Sequence, residues 1–251
     1  MSVLRLIQLS DCHVSASRDA HYRGQHALDG LNSIVAACRD WRPDLVVASG
    51  DLSEDSSAES YDVLAEYFLK MGAEVFLLPG NHDDMTLMRS VFSASCFHLV
   101  PTCGVGSWRL YFLNSTVHGT PAGRVDPAVA RELANQMNTQ AESHAFVFLH
   151  HQPFLSGSAW IDKYPLMDAE DFRDTISGCK KLRAVAWGHI HHGWDLRENS
   201  VTWLGCPATG TNTLPNHEKF TTDERGPACR WLELSANGDI ETGLLYGQVQ
   251  S

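Results

Sequence analysis

The stretch RAVAWGHIHHGWD, residues 183–195, joins a short apolar run to three histidines within four positions. The apolar run ends at Gly188 and has the length and composition of a buried strand that stops at a turn. His189, His191 and His192 add little to the packing of a strand or helix, so their density indicates a binding role. Imidazole is the commonest metal ligand among protein side chains. The stretch therefore predicts a strand whose end carries metal ligands.

Polar side chains follow four further apolar runs at the point where each run ends. Asp, Asn and Gly are common at turns, and a turn would explain any one of these sites. It does not explain five strand ends that all carry a carboxylate, a carboxamide or an imidazole. The five motifs are Asp11-Cys12-His13, Gly50-Asp51, Gly80-Asn81-His82-Asp83, His150-His151 and Gly188-His189-Ile190-His191.

The pattern of strands and helices predicts an α/β fold. Helical spacing occurs in 26–41, in a segment that Ser56 or Ser57 can cap, after Asp126-Pro127, and in 168–176. Strands that alternate with helices favour a buried, largely parallel sheet, and the strand-rich C-terminal third favours mixed or antiparallel pairing. We find no repeat or linker and expect one domain, 1–251. The nine strand-like runs are 4–10, 44–50, 73–80, 109–115, 145–151, 183–189, 201–205, 229–234 and 240–246.

Composition restricts the class of protein. The 251 residues are 43% hydrophobic and 20% charged, which is ordinary for a globular protein with a large core. The net charge of −11 argues against a nucleic-acid polymer as partner, because phosphate backbones require a basic surface. Seven cysteines without a CxxC pair indicate a reduced, cytoplasmic protein. No signal peptide and no membrane-spanning run is expected.

The motif residues suit a site with two metal ions. Imidazole and carboxylate are ligands for Zn, Mn and Fe. Two such ions that share one carboxylate clamp a phosphate and generate a hydroxide nucleophile between them. The glycines at 50, 80 and 188 would let the backbone turn sharply beside the site. The seven candidate ligands are Asp11, His13, Asp51, Asn81, His150, His189 and His191.

Alternation along an extended backbone would give the paired ligands a common direction. It would put Asp11 and His13 on one side and leave Cys12, a small buried residue, on the other. The same expectation applies to His189 and His191 around Ile190.

With these motifs in order, the chain resembles the calcineurin-like metallophosphoesterases. That family's pattern is Asp-x-His, Gly-Asp, Gly-Asn-His-Asp/Glu, His and Gly-His-x-His, and it is complete here between residues 11 and 191. The resemblance implies a four-layer αββα sandwich of two mixed β-sheets flanked by helices. Within the family, the chain is similar to the bacterial class III cyclic AMP phosphodiesterases in stretches 9–14, 47–61 and 226–245. Related glycerophosphodiesterases share much of this similarity.

The resemblance also implies how the site divides. One metal would be bound by Asp11, His13, Asp51 and His191, and the other by Asp51, Asn81, His150 and His189. Fe or Mn is expected, and Zn is possible. His82 would protonate the leaving oxygen, with Asp83 to orient or charge it. The phosphate contacts would be His13, Asp51, Asn81, His82 and His191.

Three functions remain open at this stage. The first is hydrolysis of cyclic AMP to 5′-AMP by attack of a metal-bridging hydroxide, by a monomer or homodimer that binds no membrane. The second is hydrolysis of glycerophosphodiesters or other small phosphodiesters. The third is a binding module of the same fold without catalysis, against which the seven intact ligand positions argue.

Four residues near the motifs have open roles. His151 either supports the ligands from outside or is a turn residue, whereas His192 is expected to have no metal role. Trp160 and Phe154, in PFLSGSAWIDKYP (153–165), either stack on a nucleobase or cap the core.

Overall fold

The computed structural model describes residues 3–248 and contains two six-stranded β-sheets with helices on their outer faces. The first sheet has α1, α2 and α3 outside it, and the second has α4 and α6. The strands are β1 (Leu4–Leu9), β2 (His21–Tyr22), β3 (Gln25–His26), β4 (Leu45–Ser49), β5 (Glu74–Leu78), β6 (Phe97–His98), β7 (Thr102–Val105), β8 (Trp108–Phe112), β9 (His144–Phe148), β10 (Leu182–Trp187), β11 (Trp194–Glu198), β12 (Val201–Gly205), β13 (Ala228–Leu234) and β14 (Ile240–Tyr246). The helices are α1 (Ala27–Trp41), α2 (Ala58–Leu69), α3 (Met85–Val91), α4 (Pro127–Thr139), α5 (Ala159–Asp162) and α6 (Ala169–Ser177).

Both sheets are parallel in the centre and antiparallel toward an edge. The first sheet has the order β14-β13-β1-β4-β5-β6, and its pairs β1-β4, β4-β5 and β5-β6 are parallel. The second has the order β11-β12-β10-β9-β8-β7, with antiparallel edge strands β7 and β11. The predicted α/β sandwich of two mixed sheets is therefore confirmed. All nine predicted runs form strands. Short or polar edge strands such as β11 contain no apolar run and were not predicted.

Three apolar layers explain why the strands read as continuous hydrophobic runs. Leu6 of β1 and Phe148 of β9 point between the two sheets, and their chain neighbours Ile7 and Val147 point toward the helices. Each central strand is thus buried on both faces, as parallel strands between helices are.

Local capping fixes where two of the helices begin. Ser57 is the N-cap of α2, and its side chain accepts a hydrogen bond from the amide of Ser60. Asp126 does the same for α4 through the amide of Ala128 at 2.7 Å. Both caps agree with the prediction from sequence. No helix within residues 3–248 combines the length and the apolar character needed to cross a bilayer.

A buried amide links the two sheets beneath the candidate site. The side-chain nitrogen of Gln8, on β1, donates to the hydroxyl of Ser49 at 2.9 Å and to the carbonyl of Trp187 at 3.2 Å. These two acceptors are the last residues of β4 and β10. The link brings the carboxyl ends of three strands from both sheets to one place, where the ligand motifs follow.

Candidate metal centre

The structure brings the seven candidate ligands together at the carboxyl ends of β1, β4, β5, β9 and β10. Six of them are buried, with side chains directed into one cluster. Asp11 and His13 follow β1, Asp51 follows β4, and Asn81 follows β5. The histidines come from the second sheet, at the ends of β9 and β10.

One half of the cluster is formed by Asp11, His13 and His191. The Nε2 atom of His191 lies 3.4 Å from Oδ1 of Asp11 and 3.3 Å from Nε2 of His13. His13 is held from its outer side by Tyr22, whose ring stacks on it at 3.8 Å between centroids. Three ligand atoms therefore converge on a space the size of one ion.

The other half is formed by His150 and His189, and Asp51 lies between the halves. Nδ1 of His189 is 3.2 Å from Nε2 of His150. Oδ2 of Asp51 is 3.3 Å from Nε2 of His150 and 3.9 Å from Nε2 of His13. One carboxylate oxygen is thus within reach of both halves, which is the arrangement that a bridging ligand requires.

Partners outside the cluster fix which nitrogen of each histidine faces it. A carbonyl oxygen can only accept, so the ring nitrogen beside it carries the proton. His150 donates through Nδ1 to Ser49 O at 2.9 Å, and His191 through Nδ1 to Thr211 O at 2.8 Å. His189 donates through Nε2 to Tyr164 O at 3.1 Å. Such outer hydrogen bonds are typical of metal-binding imidazoles.

This orientation leaves ring lone pairs facing one another. His13 donates through Nδ1 to the carboxylate of Glu54 at 2.7 Å, so its Nε2 faces the Nε2 of His191 as a second acceptor. His150 and His189 oppose each other in the same way. Two lone pairs at 3.2–3.3 Å repel unless a proton or a cation lies between them. The donor set fits two cations, one for each facing pair.

Asn81 supplies independent support for a cation. Its Oδ1 atom is buried and has no hydrogen-bond partner among residues 3–248. A buried carboxamide oxygen without a partner costs free energy, on the order of 1–3 kcal/mol. Coordination of a metal would satisfy that oxygen.

The backbone at the site is left-handed, and the expectation of extended segments is wrong. Five of the candidate ligands have positive φ: Asp11 (53°), His13 (46°), Asp51 (49°), His189 (69°) and His191 (55°). A non-glycine residue in this region costs about 1–3 kcal/mol. Backbone hydrogen bonds hold the strained loops, such as the amide of His13 to Asp51 O at 3.1 Å. The ligands share one direction because of these turns, whereas Cys12 points into the core as expected.

Two glycines are required by close approach to the ligands. A Cβ at Gly80 would overlap the amide and the Oδ1 atom of Asp51, and one at Gly188 would overlap the hydroxyl of Ser10. Any side chain at either position would displace a carboxylate of the cluster, because Asp11 and Asp51 lie beside these glycines.

In one half of the cluster a proton lies where a cation would bind. Burial penalises the charge of His150, but the carboxylate of Asp51 overrides this and raises the pKa of His150 to about 9, so at neutral pH its Nε2 carries a proton that a metal ion would replace. Burial would also raise the pKa of Asp11, yet the adjacent His191 lowers it to about 2. Burial would likewise raise the pKa of Asp51, yet His150 holds it well below its usual range, so both aspartates are anionic at neutral pH. Burial lowers the pKa of His189 to about 3, which leaves its Nδ1 free to bind a cation.

Asp83 lies elsewhere than expected. Its carboxylate accepts hydrogen bonds from the amides of Leu52, Ser53 and Gly80 and from the hydroxyl of Tyr61, at 2.9–3.2 Å. It fastens the loop after β5 to the loop after β4. The expectation that Asp83 orients His82 is therefore corrected.

Glu54 takes the position expected for Asp83. One of its carboxylate oxygens, Oε2, lies 2.7 Å from Nδ1 of His13 and 3.3 Å from Nδ1 of His82. His82 is partly exposed, and its amide donates to Oδ1 of Asp51 at 2.9 Å. The sequence offered no signal for Glu54, which is one acidic residue in the acidic stretch SEDSSAES (53–60).

Replacing Glu54 by glutamine is expected to lower kcat/KM about tenfold, because a lost outer partner of a metal ligand costs about 10- to 100-fold. The control variant is Glu66→Gln. Glu66 lies on the neighbouring helix α2, and its exposed carboxylate pairs with Arg18. Steady-state kinetics and metal analysis of both variants test this. Wild-type activity and metal content in Glu54→Gln would contradict the role.

The residues with open roles divide between the site and the core. His151 lies beside the cluster, with its ring centroid 4.8 Å from that of His189 and its Nδ1 2.8 Å from the hydroxyl of Ser115. Phe154 packs in the core, stacked on Trp194 at 5.4 Å. Trp160 lines a cavity that opens over the cluster.

That cavity has a volume of about 490 Å³, within the range of small-molecule sites. Its inner wall is formed by His82 and by five residues of the cluster, His13, Asp51, Asn81, His189 and His191. Aromatic and charged residues form the outer wall: Tyr22, Arg23, Trp160, Lys163, Tyr164, Glu218, Lys219 and Phe220.

Sequence comparisons find similar proteins with a known activity. The family model described as calcineurin-like phosphoesterase matches residues 4–193. A 3′,5′-cyclic adenosine monophosphate phosphodiesterase from Pseudomonas aeruginosa is 31% identical, and the alignment covers 95% of this chain and 88% of that protein. One of the same name from Vibrio vulnificus is 30% identical over the same shares of the two chains.

Among solved structures, a dimetal phosphatase from Danio rerio aligns with a TM-score of 0.67. It is 13% identical, and the alignment covers 99% of this chain and all of that one. At this identity the likeness concerns the fold alone, and it agrees with the two-sheet architecture.

Proposed function

The chain belongs to the calcineurin-like phosphoesterase family and is a metal-dependent phosphodiesterase, and on that premise we propose that it hydrolyses 3′,5′-cyclic AMP to 5′-AMP. The observation that carries this proposal is the arrangement of two histidine pairs at the floor of a small cavity. In each pair two ring nitrogens face each other, and Oδ2 of Asp51 lies within reach of both pairs. The substrate is suggested by the names of relatives that align with 95% of the chain.

We assign the ligands from the two halves of the cluster and, for Asn81, from the family resemblance and its unpartnered Oδ1. Asp11, His13 and His191 would hold one ion, Asn81, His150 and His189 would hold the other, and Asp51 lies within reach of both halves. When bound, the two ions activate water and neutralise charge on the phosphoryl oxygens. Iron or manganese is proposed, with zinc as an alternative, because ligand type alone does not select among them.

His82 is proposed as the general acid. It lines the cavity next to the cluster, and Glu54 lies 3.3 Å from its Nδ1. Water supplies the hydroxyl that joins phosphorus and releases its other proton to the solvent. The bond from phosphorus to the 3′ oxygen breaks, and that oxygen takes a proton from His82, which regains one from the solvent. The same residue would serve any small diester with an alkoxide leaving group.

Two further expectations belong to this proposal. We propose one domain over 1–251, because β1 near the start of the chain pairs with β13 near its end and both lie in the sheet that carries Asp11 and Asp51. We propose a cytoplasmic location, because all seven cysteines are free and five of them are buried.

Product analysis tests the proposed reaction. Metal-reconstituted protein is incubated with cyclic AMP, with and without added manganese, and the nucleotides are separated by chromatography. We expect metal-dependent 5′-AMP and none in a chelated control. If cyclic AMP stays intact while glycerophosphoethanolamine is cleaved in a parallel reaction, the substrate is a different small phosphodiester.

A further inference from the structure

Three of the aromatic rings in the outer wall of the cavity lie beside its one guanidinium, and the metal motifs account for none of these four groups. Tyr22 and Arg23 lie on the β2-β3 hairpin, Trp160 lies on α5, and Phe220 lies on the loop between β12 and β13. Three segments that are distant in sequence thus meet above His191. The rings of Trp160 and Phe220 are each 5.8 Å from the ring of His191.

The face of Phe220 is covered by a planar group. The guanidinium carbon of Arg23 lies 4.4 Å from the centroid of Phe220 and 5.7 Å from that of Trp160. The two rings meet edge to face at 5.0 Å, so they form a corner around the guanidinium. A corner of this shape accepts flat groups, because aromatic faces bind both cations and stacked rings.

Arg23 is weakly held in that corner. Its side chain is exposed, and its hydrogen bond to the hydroxyl of Tyr22 is long at 3.4 Å. No ion pair within residues 3–248 includes it. A stacked base contributes more to affinity than an exposed cation on a ring does, so a base can displace the guanidinium.

Hydrogen bonds hold the backbone of the loops that carry the corner. The loop with Phe220 is closed at its base, where the amide of Leu214 donates to Thr221 O at 2.8 Å. It is joined to the segment before Trp160, because the amide of Asn216 donates to the hydroxyl of Ser158 at 3.0 Å. The indole nitrogen of Trp160 has no partner among the described residues, so its ring can adjust without losing a hydrogen bond.

We propose that Phe220 and Trp160 bind the nucleobase of the substrate, which stacks on Phe220 where the guanidinium of Arg23 now lies. This inference rests on the proposed function, since it assumes a nucleoside on the diester. A ribose attached to a phosphate at the cluster would lie beside this corner, because the centroids of both rings are 5.8 Å from that of His191. The corner thereby favours a cyclic nucleotide over a diester that lacks a ring.

Binding of the product 5′-AMP measures the contribution of the base separately from that of the ribose phosphate. The affinity of metal-loaded protein for 5′-AMP is compared by calorimetry with that for ribose 5-phosphate, which lacks the base. Stacking of a base on an aromatic ring contributes roughly five- to hundredfold. We expect 5′-AMP to bind at least about tenfold more tightly, and this ratio to fall to about one in Phe220→Leu.

Matched variants distinguish loss of the stacking ring from other effects of a substitution. Phe220→Tyr retains a ring and should retain the ratio, and Trp160→Leu should reduce it. Tyr67→Leu removes a ring with a similar cation contact, Lys70 at 4.0 Å, on the outer helix α2, and should leave the ratio unchanged. An unchanged ratio in both Phe220→Leu and Trp160→Leu, with normal metal content, would overturn the subsite.

The outcome is independent of the activity test. If cyclic AMP is not hydrolysed but 5′-AMP binds through Phe220, the subsite stands and serves another nucleoside diester. If cyclic AMP is hydrolysed and the ratio does not depend on either ring, the subsite fails and the proposed function stands.

Discussion

Replacing Asp51 by asparagine is expected to lower activity by about 10³-fold or more and bound metal from about two ions per chain to less than one. Oδ2 of Asp51 is the atom within reach of both halves of the cluster, 3.3 Å from His150 and 3.9 Å from His13. A bridging ligand holds both ions, and the ions contribute several kcal/mol to stabilisation of the transition state. Each 1.36 kcal/mol is a factor of ten in rate.

The substitution is nearly isosteric, which isolates the charge. A carboxamide presents one weakly basic oxygen and an NH₂ group that only donates, so it cannot bridge two cations. Its NH₂ group would also face either the amide of His82, which now donates to Oδ1, or the ring nitrogen of His150. The first arrangement loses the hydrogen bond from His82 and leaves one neutral oxygen toward the cluster, and the second directs a donor into the cluster. Neither creates a cavity.

Metal analysis and kinetics on the same preparation measure this effect. Asp84→Asn is the control, because it removes one negative charge two residues from His82 and asparagine caps α3 as well as aspartate does. Circular dichroism verifies the fold of both variants. A variant Asp51→Asn that retains two ions and wild-type turnover would contradict the bridging role.

The sequence predicted where the candidate ligands lie in the fold because the signal for their positions is local. Each of five motifs follows a run that is buried on both faces, and parallel strands end at a common edge. The register agrees with this, with Leu9 beside Ala48 and Ala48 beside Leu77, so that Asp11, Asp51 and Asn81 follow within two to four residues of one level of the sheet. A pattern of this kind requires no knowledge of how the loops fold.

The failures have a common physical cause, which is the shape of the loops. Left-handed φ values at five candidate ligands are only weakly encoded in residue type, since aspartate and histidine are enriched at positive φ but most of them do not adopt it. Glu54 reaches the site because the amide of Glu54 pairs with Val14 O at 2.9 Å, which turns the loop toward His13. Phe220 and Arg23 meet through segments about two hundred residues apart, and no short pattern predicts that contact.

Replacing His82 by alanine is expected to slow hydrolysis of cyclic AMP by about 10²- to 10⁴-fold, the usual contribution of a general acid. The same variant should cleave bis(4-nitrophenyl) phosphate with a loss of tenfold or less, since nitrophenolate leaves without a proton and a general acid contributes little. The two losses should differ because His82 acts as a proton donor and is not a candidate ligand. It lines the cavity with its side chain partly exposed, whereas every candidate metal-binding histidine is buried.

The ratio of the two losses separates a proton donor from a ligand or a structural residue. Loss of a metal ligand slows both substrates alike, because both need activated water and neutralised phosphoryl oxygens. His118→Ala, which removes an exposed imidazole on the loop after β8, should change neither rate and controls for the loss of a histidine. Equal losses on the two substrates with full metal content would exclude His82 as the acid. The group at the leaving oxygen would then have to come from elsewhere in the cavity wall, where Tyr22, Lys163, Tyr164 and Lys219 are side chains able to donate a proton.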